Sequence, residues 1–170
     1  MDPWRRTPHL LVYPIPMMRL RVERMIDATP EQIWADISDL SSHVQWMHDA
    51  VALRFRSDGV VGVGTTFECD TAVGPLTLTD LMTIVKWDRP YRMGIEHVGA
   101  ARGVGTFWLI EASPTTTRFV WIERISLPIW LGGPIGERFA RPILGALWRR
   151  NLDLLATRFE PSAAQAHPVR

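Results

Sequence analysis

The sequence predicts an α+β fold in which a curved antiparallel sheet of about seven strands wraps around a long C-terminal helix, with two short helices after the first strand. Three observations carry this. Period-two alternation of apolar and polar residues recurs in segment after segment between residues 19 and 127. The links between the later segments (VGP, DRP, GAARGV and PT) are too short for a parallel crossover, so those neighbours must run antiparallel. After LPIWLGGP the apolar spacing lengthens to that of a helix and keeps it almost to the end of the chain.

Each element has its own signal. RLRVERMID, residues 19–27, alternates Leu20, Val22, Arg24 and Ile26 against Arg21, Glu23, Met25 and Asp27, a strand with one mainly apolar face. In ATPEQIWADISDL, Thr29 is a good N-cap, Pro30 fits the first helical position and Gln32 completes a capping box. A second short helix or turn spans SSHVQWMHD. AVALRFRS, TTFECDTA, LTLTDLMTIVKW, YRMGIEHV, GTFWLIEAS and TTTRFVWIERISL supply the remaining strands. Phe139, Ile143, Ala146, Leu147, Leu154, Leu155 and Phe159 mark the terminal helix, which Pro142 either kinks or opens.

Residues 1–18 contain Pro3, Pro8, Pro14 and Pro16, a density that forbids a regular helix, and read as a disordered or extended arm. The folded domain is expected over 19–160 and a flexible tail over 161–170. Arg5 and Arg6 before LLV are superficially signal-like. However, Pro14 breaks the apolar run and no small-residue cleavage site follows, so a cytoplasmic location is expected. Met17 and Met18 offer a second candidate translation start.

Composition removes several function classes. At 170 residues and 46% hydrophobic, the chain can build one domain with one core. Nineteen basic against eighteen acidic side chains leave a net charge of +1, without the basic excess of a dedicated nucleic-acid binder. Cys69 is the single cysteine, which excludes an internal disulfide and a cysteine-based zinc cluster and fits a small buried strand residue. His9, His43, His48, His97 and His167 are scattered and no HExxH occurs, so no metal and no other cofactor is expected. No GxSxG nucleophile elbow is present. The glycine strings GVVGVGTTF and GAARGVGTF do not lead from a strand into a helix, so they read as hairpin turns or access to a cavity mouth rather than phosphate loops.

Four strings carry a resemblance to a known family: ATPEQIWADISDLSSHVQW, VGVGTTFE, VKWDRPYRMGIEH and RPILGALWRRNLDLLATRFE. Over residues 19–160 the chain resembles the START-like (SRPBCC) superfamily with its helix-grip fold, nearest to the polyketide cyclase/dehydrase-like and lipid-transport-like members. The resemblance implies a hydrophobic ligand held between sheet and terminal helix. It leaves open whether that ligand is carried or transformed, because a fold does not choose among its activities.

The alternation nominates the residues that face such a space. Leu76, Leu78, Asp80, Met82 and Ile84 share a face, as do Met93, Ile95 and His97, then Trp108 and Ile110, then Thr117, Phe119, Trp121 and Glu123. The expected wall comprises Trp34, Trp46, Leu78, Met82, Met93, Ile95, Trp108, Phe119 and Trp121, with Phe139, Ile143 and Leu147 from the helix. Asp80, His97 and Glu123 are titratable groups on mainly apolar faces, a candidate acid–base set or a polar anchor for a ligand hydroxyl or carbonyl. The competing reading places each near a strand end in water or in a bond to a neighbouring strand. Three functions follow. The first is binding or transport of a lipid, isoprenoid or polyketide-like aromatic. The second is a cyclase, aromatase or dehydratase working through the same residues. The third is a regulatory module that pairs through the Arg/Trp-rich segment, so the chain is either a monomer or a homodimer. Residues 128–150, which combine aromatics with arginines, form either a cavity gate or a patch for transient contact with a membrane surface.

Overall fold

A computed structural model describes residues 17–160, so the arm expected before residue 17 and the tail after residue 160 lie outside the described residues. The elements are β1 (Met18–Ile26), α1 (Pro30–Ile37), a 3₁₀ helix (Leu40–Gln45), β2 (Ala50–Phe55), β3 (Thr66–Val73), β4 (Leu76–Asp88), β5 (Arg92–Gly99), β6 (Arg102–Ser113), β7 (Thr116–Ser126), a second 3₁₀ turn (Ile129–Leu131) and α2 (Gly133–Thr157). The strands form one antiparallel sheet in the order β1-β7-β6-β5-β4-β3-β2. Strands β2 to β7 are a meander, and the helices after β1 carry the chain from one edge of the sheet to the other. This is the helix-grip α+β architecture that the alternation and short links predict.

Local chemistry sets the element ends. Thr29 Oγ1 accepts from the Gln32 N–H and Gln32 Oε1 accepts from the Thr29 N–H, a reciprocal capping box that begins α1. Ile33, Trp34 and Ile37 then bury one face of the helix. α2 runs through Pro142, which has no N–H to donate, so the proline neither opens nor ends the helix. Trp148, Leu152, Leu155 and Ala156 bury its inner face, and it packs chiefly against β1 and to a lesser extent β7.

Several sequence expectations need correction. Trp108 and Ile110 are on the outer face of β6, while Phe107 and Leu109 are buried. FWLI is an unbroken apolar run, so alternation alone cannot fix its frame, and Trp108 is held outside beneath the Arg92 guanidinium, 4.7 Å from the ring centroid. Phe139 and Ile143 are exposed, because the buried face of α2 runs through Trp148 and Leu155 on the opposite side of the helix. Trp34 is buried away from any cavity, edge-on to Trp87 at 5.0 Å. A bulge between Ile84 and Lys86 shifts the β4 register just before Trp87, which packs against the core.

On the outer edge, Arg54 donates to both carboxylate oxygens of Asp70 at 2.6 and 2.7 Å, and Arg56 donates to Glu68 at 2.7 Å. Among the described residues no helix is long and apolar enough to cross a membrane. The packing of α2 gives a direct test. Leu155→Ala, at a fully buried site, should lower folding stability by about 2–5 kcal/mol in urea denaturation, whereas Ile143→Ala on the exposed side should change it by less than about 0.5 kcal/mol.

Candidate functional site

Between the concave face of the sheet, the first 3₁₀ helix and α2 lies a cavity of about 150 Å³, with about 980 Å³ of atom-free space inside the same walls when the open mouth is included. Its lining is mostly apolar: Leu53, Phe67, Leu78, Met82, Ile95, Phe107, Trp121, Ile125, Leu144 and Trp148 among others. Trp148 of α2 stacks on Trp121 of β7 with centroids 5.0 Å apart, which joins helix to sheet at the cavity wall.

The polar residues expected from sequence converge here. Asp80, His97 and Glu123 all line the cavity, from β4, β5 and β7. Glu123 Oε1 accepts from Trp121 Nε1–H at 2.8 Å, and Glu123 Oε2 lies 3.7 Å from His97 Nε2. That contact spans β6, since β5 and β7 are not neighbours and two strand spacings amount to about 9–10 Å. Glycine makes it possible. His97 pairs with Gly103 and Glu123 pairs with Gly105, so β6 raises no side chain between them. A Cβ at residue 105 would stand 2.8 Å from Glu123 Cδ, closer than real Cβ atoms approach. Gly99 does the same for Asp80, where a Cβ would stand 3.0 Å from Asp80 Cα and overlap its carboxylate.

Burial decides the charge of these groups. It pushes the Glu123 carboxyl up to about 8, against the Trp121 hydrogen bond and with help from the negative Asp49 nearby. It pushes His97 down to about 4. Both are therefore uncharged near neutral pH, and at 3.7 Å they form neither an ion pair nor a hydrogen bond. Among the described residues, Glu123 Oε2 and His97 Nε2 are buried with no hydrogen-bond partner. Asp80 is different: burial raises its carboxyl, but the N–H groups of Ala101 and Ala100 oppose the shift, and Oδ1 accepts from Ala101 at 3.1 Å. It is satisfied by the β5–β6 turn, as the competing reading of a structural bond to a neighbouring strand requires.

The expected wall divides. Leu78, Met82, Ile95 and Trp121 line the cavity. Trp46, Met93 and Phe119 are buried behind it, with Trp46 edge-on to His43 at 5.2 Å and Phe119 against Phe107 at 5.2 Å. Leu147 is half-buried against the core and does not reach it, and Trp34, Trp108, Phe139 and Ile143 are elsewhere. Sequence reasoning misses His43, Met47, Asp49, Phe67, Phe107 and Trp148 as cavity residues. His43 Nε2–H donates to the Ile37 carbonyl at 2.8 Å, and burial holds its pKa near 4. Cys69 also lines the cavity as an unreactive thiol, pushed up to about 11 by burial. Among the described residues no cluster of His, Cys, Asp and Glu could hold a metal ion.

A family model described as "Polyketide cyclase / dehydrase and lipid transport" matches residues 17–160. The chain belongs to that family. Solved structures share the architecture at low identity. A protein from Thermus thermophilus is 21% identical, with a TM-score of 0.71 over 87% of this chain and 99% of that one. A START superfamily protein from Mycobacterium smegmatis is 12% identical, with a TM-score of 0.69 over 83% and 96%. The Zhui aromatase/cyclase from Streptomyces sp. R1128 is 14% identical, with a TM-score of 0.67 over 88% and 98%. These likenesses establish the fold. No curated protein matches the chain.

Two measurements check this geometry. Gly105→Ala should destabilise the fold by about 1–3 kcal/mol through overlap with Glu123, and pairing it with Glu123→Ala should recover part of the loss in a double-mutant cycle. The second is pH dependence. Unfolded Glu123 ionises near 4.5 but the folded residue near 8, so its contribution makes stability fall as pH rises between those values and level off above. His97 and His43 act oppositely, removing stability as pH falls from 6.5 towards about 4. Urea midpoints of Glu123→Gln should therefore lose the alkaline decline and keep the acidic one.

Proposed function

We propose that the chain binds a hydrophobic small molecule in this cavity, with one polar group of the ligand held by Glu123 and His97. The observation that carries the reading is the combination of an apolar wall with two inward-facing polar atoms, Glu123 Oε2 and His97 Nε2, that have no partner among the described residues. An unpartnered buried polar atom costs about 1–3 kcal/mol, and a ligand carbonyl or hydroxyl would offset that cost. A protonated carboxyl can donate to a carbonyl oxygen, and a neutral imidazole can accept from a hydroxyl. A charged ligand end would be disfavoured beside two uncharged groups in an apolar wall.

Size narrows the ligand class. A cavity of 150 Å³ is comparable to engineered apolar cavities that admit a single benzene-sized ring. The inner space therefore suits one ring or a short branched unit, and anything longer extends through the mouth. An isoprenoid or polyketide-like aromatic with one oxygen function fits this better than a two-chain lipid held wholly inside.

A second reading has one specific observation in its favour: Glu123 and His97 are a neutral acid beside a neutral base. Such a pair could protonate a carbonyl oxygen while accepting a proton elsewhere on the same molecule, the chemistry of a cyclisation or dehydration. Membership of a family described by both activities is compatible with either reading.

Native mass spectrometry of freshly purified protein, with extraction of whatever is bound, tests the proposal. A retained hydrophobic species carrying an oxygen function is expected, and it should be lost in Met82→Trp, which fills the cavity. Retention unchanged in Met82→Trp would refute the cavity as the binding site. Loss of turnover in Glu123→Ala or His97→Ala with binding intact would establish the enzyme reading.

A further inference from the structure

We propose that the face formed by the second 3₁₀ turn and the first half of α2 docks on an anionic lipid bilayer. Ile129 is 91% exposed, Ile135 72% and Phe139 70%, with Trp130 and Ile143 also exposed. A soluble surface rarely gathers side chains of this size and kind in one place without a partner for them. At about 100° per residue, Ile135, Phe139 and Ile143 span about 80° of the helix circumference, a continuous stripe pointing away from the core.

Charge selects the partner. Arg150 continues the stripe, and Arg138 and Arg149 lie about 40–60° beyond one edge of it on the same helical projection. Arg149 and Arg141 also face Arg19 and Arg21 of β1 across a surface groove of about 500 Å³. Among the described residues none of Arg138, Arg141, Arg149 and Arg150 is ion-paired. The one acidic residue in 128–150, Glu137, is turned inward and accepts from the Leu127 N–H at 3.0 Å. An apolar stripe beside unpaired guanidiniums matches an interface of acyl chains and phosphate groups, where such helices lie in the membrane plane. A second copy of this chain laid against the same face would bring guanidinium against guanidinium, which disfavours a homodimer.

The position ties this surface to the interior. Leu127, just before the exposed turn, and Leu144, next to Ile143, both line the cavity and are partly exposed. The docked face would thus set these two wall residues beside the bilayer surface. Docking itself does not require the cavity to hold a ligand.

Vesicle flotation of the full chain provides the test, comparing phosphatidylcholine vesicles with vesicles containing about one third phosphatidylglycerol. The chain is expected to float with the anionic vesicles and to be released by salt. Arg138→Gln, Arg149→Gln and Arg150→Gln should each weaken binding about five-fold. Phe139→Ser and Trp130→Ser, at exposed sites whose thermal midpoints should stay unchanged, should abolish most of the flotation. Equal flotation on phosphatidylcholine alone, or flotation untouched by the two serine variants, would overturn the proposal. So would a chain that ignores both vesicles and elutes as a dimer dispersed by Phe139→Ser, since that result assigns the face to a second copy.

Discussion

The interior is governed by a mismatch in width. Seven strands at about 4.8 Å spacing make a sheet about 29 Å across, while one helix with its side chains is about 10–12 Å wide. α2 lies against β1 and β7, and the first 3₁₀ helix covers β2. The concave surface of β3 to β6 is therefore left partly uncovered, and the curved sheet folds that surface into a cavity. The Trp121–Trp148 stack stands at the boundary between the filled and unfilled parts. Side chains on β6 cannot narrow the cavity at Gly103 and Gly105, where a Cβ would run into the β7 backbone and into the Glu123 carboxylate.

Those glycines also determine the electrostatic character of the cavity. Removing side chains from β6 lets a carboxyl and an imidazole from strands two apart approach each other in an apolar enclosure. Desolvation then acts on each with opposite sign, favouring the protonated acid and the unprotonated base. The neutral form of the pair depends on that enclosure, since water reaching either group would relieve the desolvation that shifts it. Asp80 shows a different outcome on the same sheet: a carboxyl that lines the cavity but is given a backbone N–H partner by the β5–β6 turn.

The fold is legible in the sequence because its signals are local. Thr29-Pro30 with Gln32, the alternation in β1 and β4, and the short hairpin links each specify an element without reference to the rest. Asp80, His97 and Glu123 are also legible, since a titratable residue on an apolar strand face stands out against its neighbours. What fails is the choice of face where both faces are apolar. FWLI on β6 offers no polar contrast, and α2 carries large apolar side chains on its exposed side as well as its buried one, so Phe107 and Trp148 are exchanged for Trp108, Phe139 and Ile143. Trp34 fails for another reason: its neighbour Trp87 lies beyond the bulge in β4, and bulges leave no dependable mark in a single sequence. Gly103 and Gly105 do leave one, a spacing of two within a strand, which is legible as a cleared face once the strand is known to start at Arg102.

Among the described residues the sheet is open, and its two edge strands, β1 and β2, each carry unpaired backbone groups that could template another chain. Both are charged. β1 presents Arg19, Arg21 and Glu23 outward, and β2 presents Arg54 clasped to Asp70, with Arg56 just beyond its end held by Glu68. Surface pairs of this kind add little to folding stability. Their value lies in what they prevent, because an approaching strand would have to strip water from fixed charges before its first hydrogen bond could form. The obstacle to strand addition is thus set at the sheet's margins, independently of how its core is filled.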